Sequence, residues 1–274
     1  MIECKVCFHH CHLEEGQIGF CQGRKNELGK NIPLNYGKVS SIALDPIEKK
    51  PLMRFHPGSK ILSIGSAGCN LKCPFCQNHT ISMARPDTLH MQTLMPKDVV
   101  ELAVKMKNQG NIGIAFTYNE PLINYEYVLE TSKLAKAEGL KTVLVTNGTV
   151  ESEILNQLLP FIDAYNIDLK GFNSAFYQQL CGDLENVKTN IKLAQKFAHV
   201  EITTLIIPGK NDQYEDMEAE AKWLAEIDKD LPLHITRFFP NHLWSDLKPT
   251  PLATMVRLKA IADVYLNHVY LGNV

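Results

Sequence analysis

The chain has 274 residues, 45% hydrophobic and 21% charged, with a formal net charge of −2 and a pI near 6.5, which leaves ample material for a buried core and gives no electrostatic case for nucleic acid or an anionic membrane as a general partner. No window reaches the roughly 18 consecutive apolar residues of a bilayer span, and the first residues lack a charged-then-apolar leader, so a cytoplasmic chain without membrane contact is expected. Seven of the eight cysteines fall in two tight clusters, which in a reducing compartment points to metal rather than to disulfides.

The first cluster is Cys4, Cys7, Cys11 and Cys21, spaced C-x2-C-x3-C-x9-C, with His9, His10 and His12 beside it. Four soft ligands make a closed site, and structural zinc and a second, four-cysteine iron–sulfur cluster both fit that set. An alternating stretch around Lys38 to Leu44 then reads as a strand leading inward. Residues 1–60 are expected to form this small cysteine-rich metal-binding module with its lead-in strand, and residues 61–274 the main domain.

Short runs rich in Ile, Val, Leu, Phe and Thr at 61–65, 112–117, 141–146, 164–169, 200–207 and 233–238 read as strands. Segments 96–109, 122–138, 151–159, 185–197, 214–230 and 251–266 carry apolar residues at three- and four-residue spacings and read as helices. Strand then helix, six times over, implies a parallel sheet with right-handed crossovers. The expected class is α/β, a partial (β/α)6 TIM-like barrel, with residues 269–274 as a further strand-like run.

The most specific signal follows the first of these strands, where Cys69, Cys73 and Cys76 form C-x3-C-x2-C. Three thiolates in one tight loop suit three corners of an iron–sulfur cube and leave one iron open; zinc completed by His79 is the competing reading. A barrel collects its functional polar groups at the C-terminal ends of its strands. Those ends carry Asn119 and Glu120 before Pro121, Thr146 and Asn147 before Gly148, and Asp168 and Lys170 on one face of the fourth strand. Ile206 precedes Pro208-Gly209, and the sixth strand carries His234, Thr236 and Arg237. Period two puts His234 and Thr236 on one face and Arg237 on the other; Arg237 is a candidate for an anionic group, and His234 reads more simply as a hydrogen-bonded core residue. The isolated Cys181 reads as a small buried hydrophobe, with a radical-relaying thiol as the sharper alternative.

The 69–76 loop resembles the signature of the radical S-adenosylmethionine (SAM) superfamily. Gly16 through Cys21, Tyr36-Gly37-Lys38-Val39, Asp45 through Leu52 and Ser63 through Asn78 are similar to the radical SAM member of the AmmeMemoRadiSam group, related to pyruvate formate-lyase activating enzymes. The resemblance implies that Cys69, Cys73 and Cys76 hold a [4Fe-4S] cluster whose open iron chelates SAM. Reductive cleavage then gives methionine and a 5′-deoxyadenosyl radical that abstracts hydrogen from a substrate. It further implies that Glu120 meets the SAM ammonium, although Tyr118 and Asn119 replace the two glycines of the family motif. Asp168 and Lys170 are placed near SAM, and the loop at Ile206 packs against adenine. A flavodoxin- or ferredoxin-type electron donor is implied, with Memo-like and AMMECR-type proteins as partners. Members often carry a cysteine-bearing tail after a segment resembling Tyr270 through Val274. The resemblance leaves the substrate open. Activation of a glycyl radical enzyme is one alternative, and a noncatalytic Fe-S or zinc interaction module is the rival from another class.

Overall fold

A computed structural model describes every residue from Met1 to Val274. Eight strands form one sheet: β1 (Ser41–Pro46), β2 (Lys60–Gly65), β3 (Asn111–Phe116), β4 (Lys141–Thr146), β5 (Ala164–Asp168), β6 (His199–Ile206), β7 (Leu233–Arg237) and β8 (Val269–Gly272). They lie in strict chain order, all parallel except β1, which runs antiparallel to β2. The expected six parallel strands are β2 to β7, and each is followed by helix. The crossover helices are α1 (Pro96–Lys105), α2 (Tyr125–Ala137), α3 (Ser152–Leu158), α4 (Ser174–Gln179), α5 (Leu184–Ala194), α6 (Tyr214–Ile227) and α7 (Leu252–Ala262). No helix is long and apolar enough to cross a membrane.

Of these crossover helices, α4 escaped the periodicity reading. It is six residues long, too short for a repeat to register, and it forms because the Asn173 side chain accepts from the Ala175 and Phe176 amides. The segment 122–138 begins with a tight 3-10 turn, Pro121–Asn124, before α2. Pro121 needs no amide partner in a first turn and presets its φ.

Strand alternation sorts the side chains. Ile202, Ile206, Leu233 and Ile235 face the helix layer and join a large core with Val187, Met217, Leu224 and Leu258. Each such side chain contributes about 1.5–3 kcal/mol on full burial. Where β3 and β4 pair, Gly113 stands opposite Lys141, and a Cβ there would lie 1.8 Å from the Lys141 carbonyl oxygen. A backbone atom cannot yield as a side chain does. Gly113→Ala is therefore expected to cost about 3 kcal/mol, read by chemical denaturation.

The segment after β1 closes the N-terminal end of the barrel. Ile47, Leu52 and Phe55 pack onto Ile61, Ala115, Val143 and Ala164 from inside the sheet. A single fully buried carboxylate ties this floor down: Glu201 accepts from the Met53 and Arg54 amides at 3.0 and 2.8 Å. His199 Nε2 and His234 Nε2 lie 2.8 and 2.6 Å from its oxygens. Burial pushes the Glu201 carboxyl up, but the two imidazoles and two amides outweigh it and hold it at about 2, against an ordinary 4.5. The folded value is the depressed one, so this stabilisation is present above pH ~4.5 and is lost as the pH falls toward 2. Glu201→Ala is expected to remove about 3 kcal/mol at neutral pH and to flatten that acid limb in denaturation curves taken from pH 7 downward.

Candidate functional site

The cysteine loop leaves β2 and turns at once. Gly68 takes φ +87°, and a Cβ on it would sit 2.6 Å from the Cys21 carbonyl oxygen, so the position requires glycine on both counts. Backbone bonds fix the loop on both flanks: Gly68 N donates to Ile81 O at 2.9 Å, Cys69 N to Cys21 O at 3.1 Å and Lys72 N to Leu180 O at 2.9 Å. Cys69, Cys73 and Cys76 then face one cavity of about 710 Å³. Burial pushes the Cys69 thiol well up and the Cys73 thiol up to about 12. Burial thus keeps the free Cys69 and Cys73 thiols protonated, and a cation that replaces the proton favours their thiolates.

The strand ends β3, β4 and β5 bring the expected polar groups into the same cavity: Asn119, Glu120, Thr146, Asn147, Asp168 and Lys170 all line it. Glu120 is buried and takes three donors: Thr146 Oγ1 and Leu122 N on Oε1 at 2.7 and 3.0 Å, and Asn147 N on Oε2 at 2.7 Å. Burial nevertheless pushes its carboxyl up to about 7, against the pull of those hydrogen bonds. Asn147 Nδ2 also reaches Asn70 Oδ1 at 2.9 Å and lies 3.6 Å from Cys69 Sγ. Asn119 has a fixed local task, its Oδ1 accepting from Ser66 N at 2.9 Å and its Nδ2 donating to Gly68 O at 3.0 Å. Lys170 Nζ pairs with Asp168 Oδ2 at 2.8 Å. Burial disfavours the ammonium, but the neighbouring carboxylate overrides it and Lys170 stays charged.

Two expected residues stand elsewhere. Ile206 is fully buried in the helix-facing core, and Leu205 and Thr203 take the cavity face of β6. Arg237 points outward, its Nε donating to Thr250 O at 2.7 Å and its guanidinium 4.9 Å from the Phe239 ring centre. The reason is the same in both: successive side chains alternate across a strand, and inward positions fall on 203, 205, 234 and 236. His234 is both a hydrogen-bonded buried residue and a wall of the cavity, stacked on Tyr270 at 5.3 Å. Cys181 is exposed, contrary to its reading as a buried hydrophobe, because it caps a turn with φ 54°.

Sequence reading missed Tyr118, Lys50, Glu201 and Tyr270. Tyr118 takes φ 72°, where the resembled motif has glycine, and its side chain is held by its OH donating to Asp45 Oδ2 at 2.7 Å and by the Lys50 ammonium 4.8 Å from the ring centre. A non-glycine residue in that region costs of order 1 kcal/mol and persists where its surroundings fix it. Lys50 is itself buried and paired with Asp45 at 2.8 Å. The available signal was the run Asp45-Pro-Ile-Glu-Lys-Lys-Pro, unusually charged for a buried turn, and a lone glutamate inside the apolar β6.

The sequence model of the radical SAM superfamily matches residues 63–224, more than half of the chain, from within β2 to beyond β6. The chain belongs to the radical SAM superfamily. It is 40% identical over 277 aligned positions to an uncharacterized protein of Methanocaldococcus jannaschii, covering 100% of this chain and 81% of that protein. It is 28% identical over 235 positions to the pyruvate formate-lyase 1-activating enzyme of Escherichia coli K12, covering 76% of this chain and 90% of that enzyme. A radical SAM methyltransferase from Sphaerobacter thermophilus shares the fold with a TM-score of 0.59 at 16% identity, covering 79% of this chain and 67% of that one.

Radical SAM superfamily members are enzymes that bind a [4Fe-4S] cluster and SAM, and radical SAM activases draw on flavodoxin- or ferredoxin-type electron donors. The cavity fits both groups. The three cysteines line one cavity, Cys73 buried and Cys69 and Cys76 half-buried, and N–H groups already approach Cys69 Sγ from Leu71 at 3.4 Å and from Asn147. Across from them stand a buried carboxylate and a charged lysine–aspartate pair, in a volume within the usual range of about 300–1,000 Å³ for small-molecule sites.

Proposed function

We propose that this chain cleaves SAM reductively in the barrel cavity, with Cys69, Cys73 and Cys76 as the cluster ligands. The observation that carries the reading is convergence: the three thiols, Glu120 and the Asp168–Lys170 pair come from three different strand ends and line one cavity. A noncatalytic interaction platform has no use for such a constellation. When bound, the cluster supplies one electron to SAM, whose carbon–sulfur bond breaks to give methionine and a 5′-deoxyadenosyl radical that takes a hydrogen atom from the substrate.

The chain's own residues bind, orient and exclude water. Glu120 accepts from the SAM ammonium, with Thr146 and Asn147 holding its carboxylate in place. Lys170 offers a cation to the SAM carboxylate, and Asp168 keeps that lysine charged and aimed inward. The opposite half of the cavity, with Tyr118, Thr203, His234, Thr236 and Tyr270, receives the substrate. It is reached between β1 and β8, the two ends of the open sheet, since Lys49 and Lys50 after β1 and Tyr270 through Asn273 at β8 border the same space.

Anaerobic reconstitution with iron and sulfide, reduction and addition of SAM should yield 5′-deoxyadenosine. A verified, reduced cluster that gives none overturns the reading. The identity to a pyruvate formate-lyase activating enzyme supports a narrower version, hydrogen abstraction from a glycine of a partner enzyme; a glycyl radical signal on such a partner, dependent on this chain and SAM, is its test. The AmmeMemoRadiSam resemblance adds Memo-like and AMMECR-type proteins as partners to test by co-purification.

A further inference from the structure

The cavity face of the sheet carries one polar row. Asp168, Thr203, His234 and Tyr270 stand in register on β5, β6, β7 and β8, and all four line the cavity. Neighbouring strands lie about 4.8 Å apart, so His234 stands two strands, roughly 10 Å, from the Asp168–Lys170 end. It therefore faces the half left to the substrate, beside the gap at β8.

Most polar groups of that half are already engaged. Thr203 Oγ1 bonds with the Asn166 side chain at 2.9 and 3.1 Å, Tyr118 OH donates to Asp45 Oδ2, and Lys50 pairs with the same carboxylate. His234 differs, because its two nitrogens are divided. Nε2 lies 2.6 Å from Glu201 Oε2. Nδ1 has no hydrogen-bond partner in the chain, nor is it one of the sealed, unsatisfied side-chain atoms. The open space that the ring borders is the cavity, and Tyr270, stacked on the ring at 5.3 Å, helps hold its orientation.

Glu201 decides which nitrogen carries the proton. Its carboxyl is held at about 2, so at neutral pH it is ionised and can only accept. His199 and His234 must then both present Nε2–H to it, and the Met53 and Arg54 amides complete its set of donors. With those four the carboxylate asks nothing further of His234, and the second ring nitrogen is left as a bare acceptor. A hydrogen bond at one nitrogen setting the role of the other is how histidines are prepared for chemistry elsewhere.

We infer that His234 Nδ1 is a substrate-recognition group that accepts a hydrogen bond from an O–H or N–H of the substrate, with Glu201 as the positioning residue that sets its tautomer. The substrate class is then a molecule with a hydroxyl, amine or amide N–H close to the C–H bond to be broken, since one bond to a fixed acceptor orients the neighbouring C–H. A molecule that only accepts finds no partner there. The C–H step rests on the proposed cleavage of SAM; the tautomer and the donor preference do not.

Long-range proton–nitrogen correlation spectra of the holoenzyme with its cluster oxidised, labelled with nitrogen-15 in its histidines and held at about pH 8, read the tautomer. His234 is recognised by its contacts with the Tyr270 ring and by the loss of its signals in His234→Gln. Nε2–H with an unprotonated Nδ1 is expected; Nδ1–H, or protons on both nitrogens, overturns the inference. In Glu201→Gln the amide can donate where the carboxylate only accepted, so about half or more of His234 should move to Nδ1–H. An unmoved tautomer there removes Glu201 from the positioning role. The donor preference is read on the unaltered holoenzyme with two isomeric probes, propylene glycol, which carries O–H beside C–H, and dimethoxymethane, which only accepts. Propylene glycol should displace the Nδ1 resonance at about fivefold lower concentration or less, the worth of one neutral hydrogen bond. Equal responses, or none to either probe, defeat the substrate class. None of these readings needs SAM to be cleaved, so a protein that passes them yet forms no 5′-deoxyadenosine at full iron content would sink the proposed function alone.

Discussion

Cys73→Ala is expected to lower 5′-deoxyadenosine formation at least about 1,000-fold while the protein stays folded. Cys73 is only 7% exposed and sits in a small cluster with Leu71, Phe75, Phe176 and Phe238. There it packs as a modest hydrophobe, so truncation should cost the apoprotein about 1 kcal/mol. Removing one of three local ligands, by contrast, leaves the cube without its anchor on that side. Iron analysis, product chromatography and a thermal melt of the apoprotein separate the two effects. Retained cleavage in a melted-in-step, otherwise intact variant would reassign the cluster site.

Glu120→Ala is expected to raise the dissociation constant for SAM by about 10- to 100-fold, the worth of a charge-assisted hydrogen bond. The substitution also strips the acceptor from Thr146 Oγ1, Asn147 N and Leu122 N, so a stability loss of about 2 kcal/mol should accompany it. Unchanged SAM affinity with that loss would make Glu120 a brace between β3 and β4 and nothing more. The carboxyl's raised value of about 7 gives an independent signature. It must lose its proton to meet an ammonium, so SAM binding should weaken as the pH falls below 7 and should release a proton there. Calorimetry in two buffers of different ionisation enthalpy reads that proton directly.

The alternation of apolar runs and helical periods made the six parallel strands and their order legible, because a parallel sheet buried on both faces needs near-continuous Ile, Val and Leu. The cluster loop was legible because three thiols in eight residues have few other uses. Glu120, Asp168 and Lys170 followed from position alone, each at the end of a strand. Ile206 stands outside the cavity because proximity to a strand end says nothing about which face a residue takes, and period two decides that; Arg237 takes the face opposite His234 and Thr236, as its alternation implied, and so does not line the cavity. Tyr118, Lys50 and Glu201 stayed hidden because their role depends on partners 73, 5 and 33 positions away in sequence, Asp45 for the first two and His234 for the third. The antiparallel β1 is a similar case, since its alternation showed a strand without showing which edge it would occupy.

The plug held by Glu201 has a consequence for the order of events. With Ile47, Leu52 and Phe55 stopping the far end, the barrel is a cup rather than a tube. With the floor closed, what enters by the rim and the gap between β1 and β8 must leave the same way, so on the proposed reaction the products of SAM depart past the place where the substrate rests. On that proposed reaction such a cup favours work in batches, the reactants loading together and the cavity emptying before the next SAM binds. The same geometry keeps a reactive radical from draining out through the bottom, and makes a missing or loosened floor a leak.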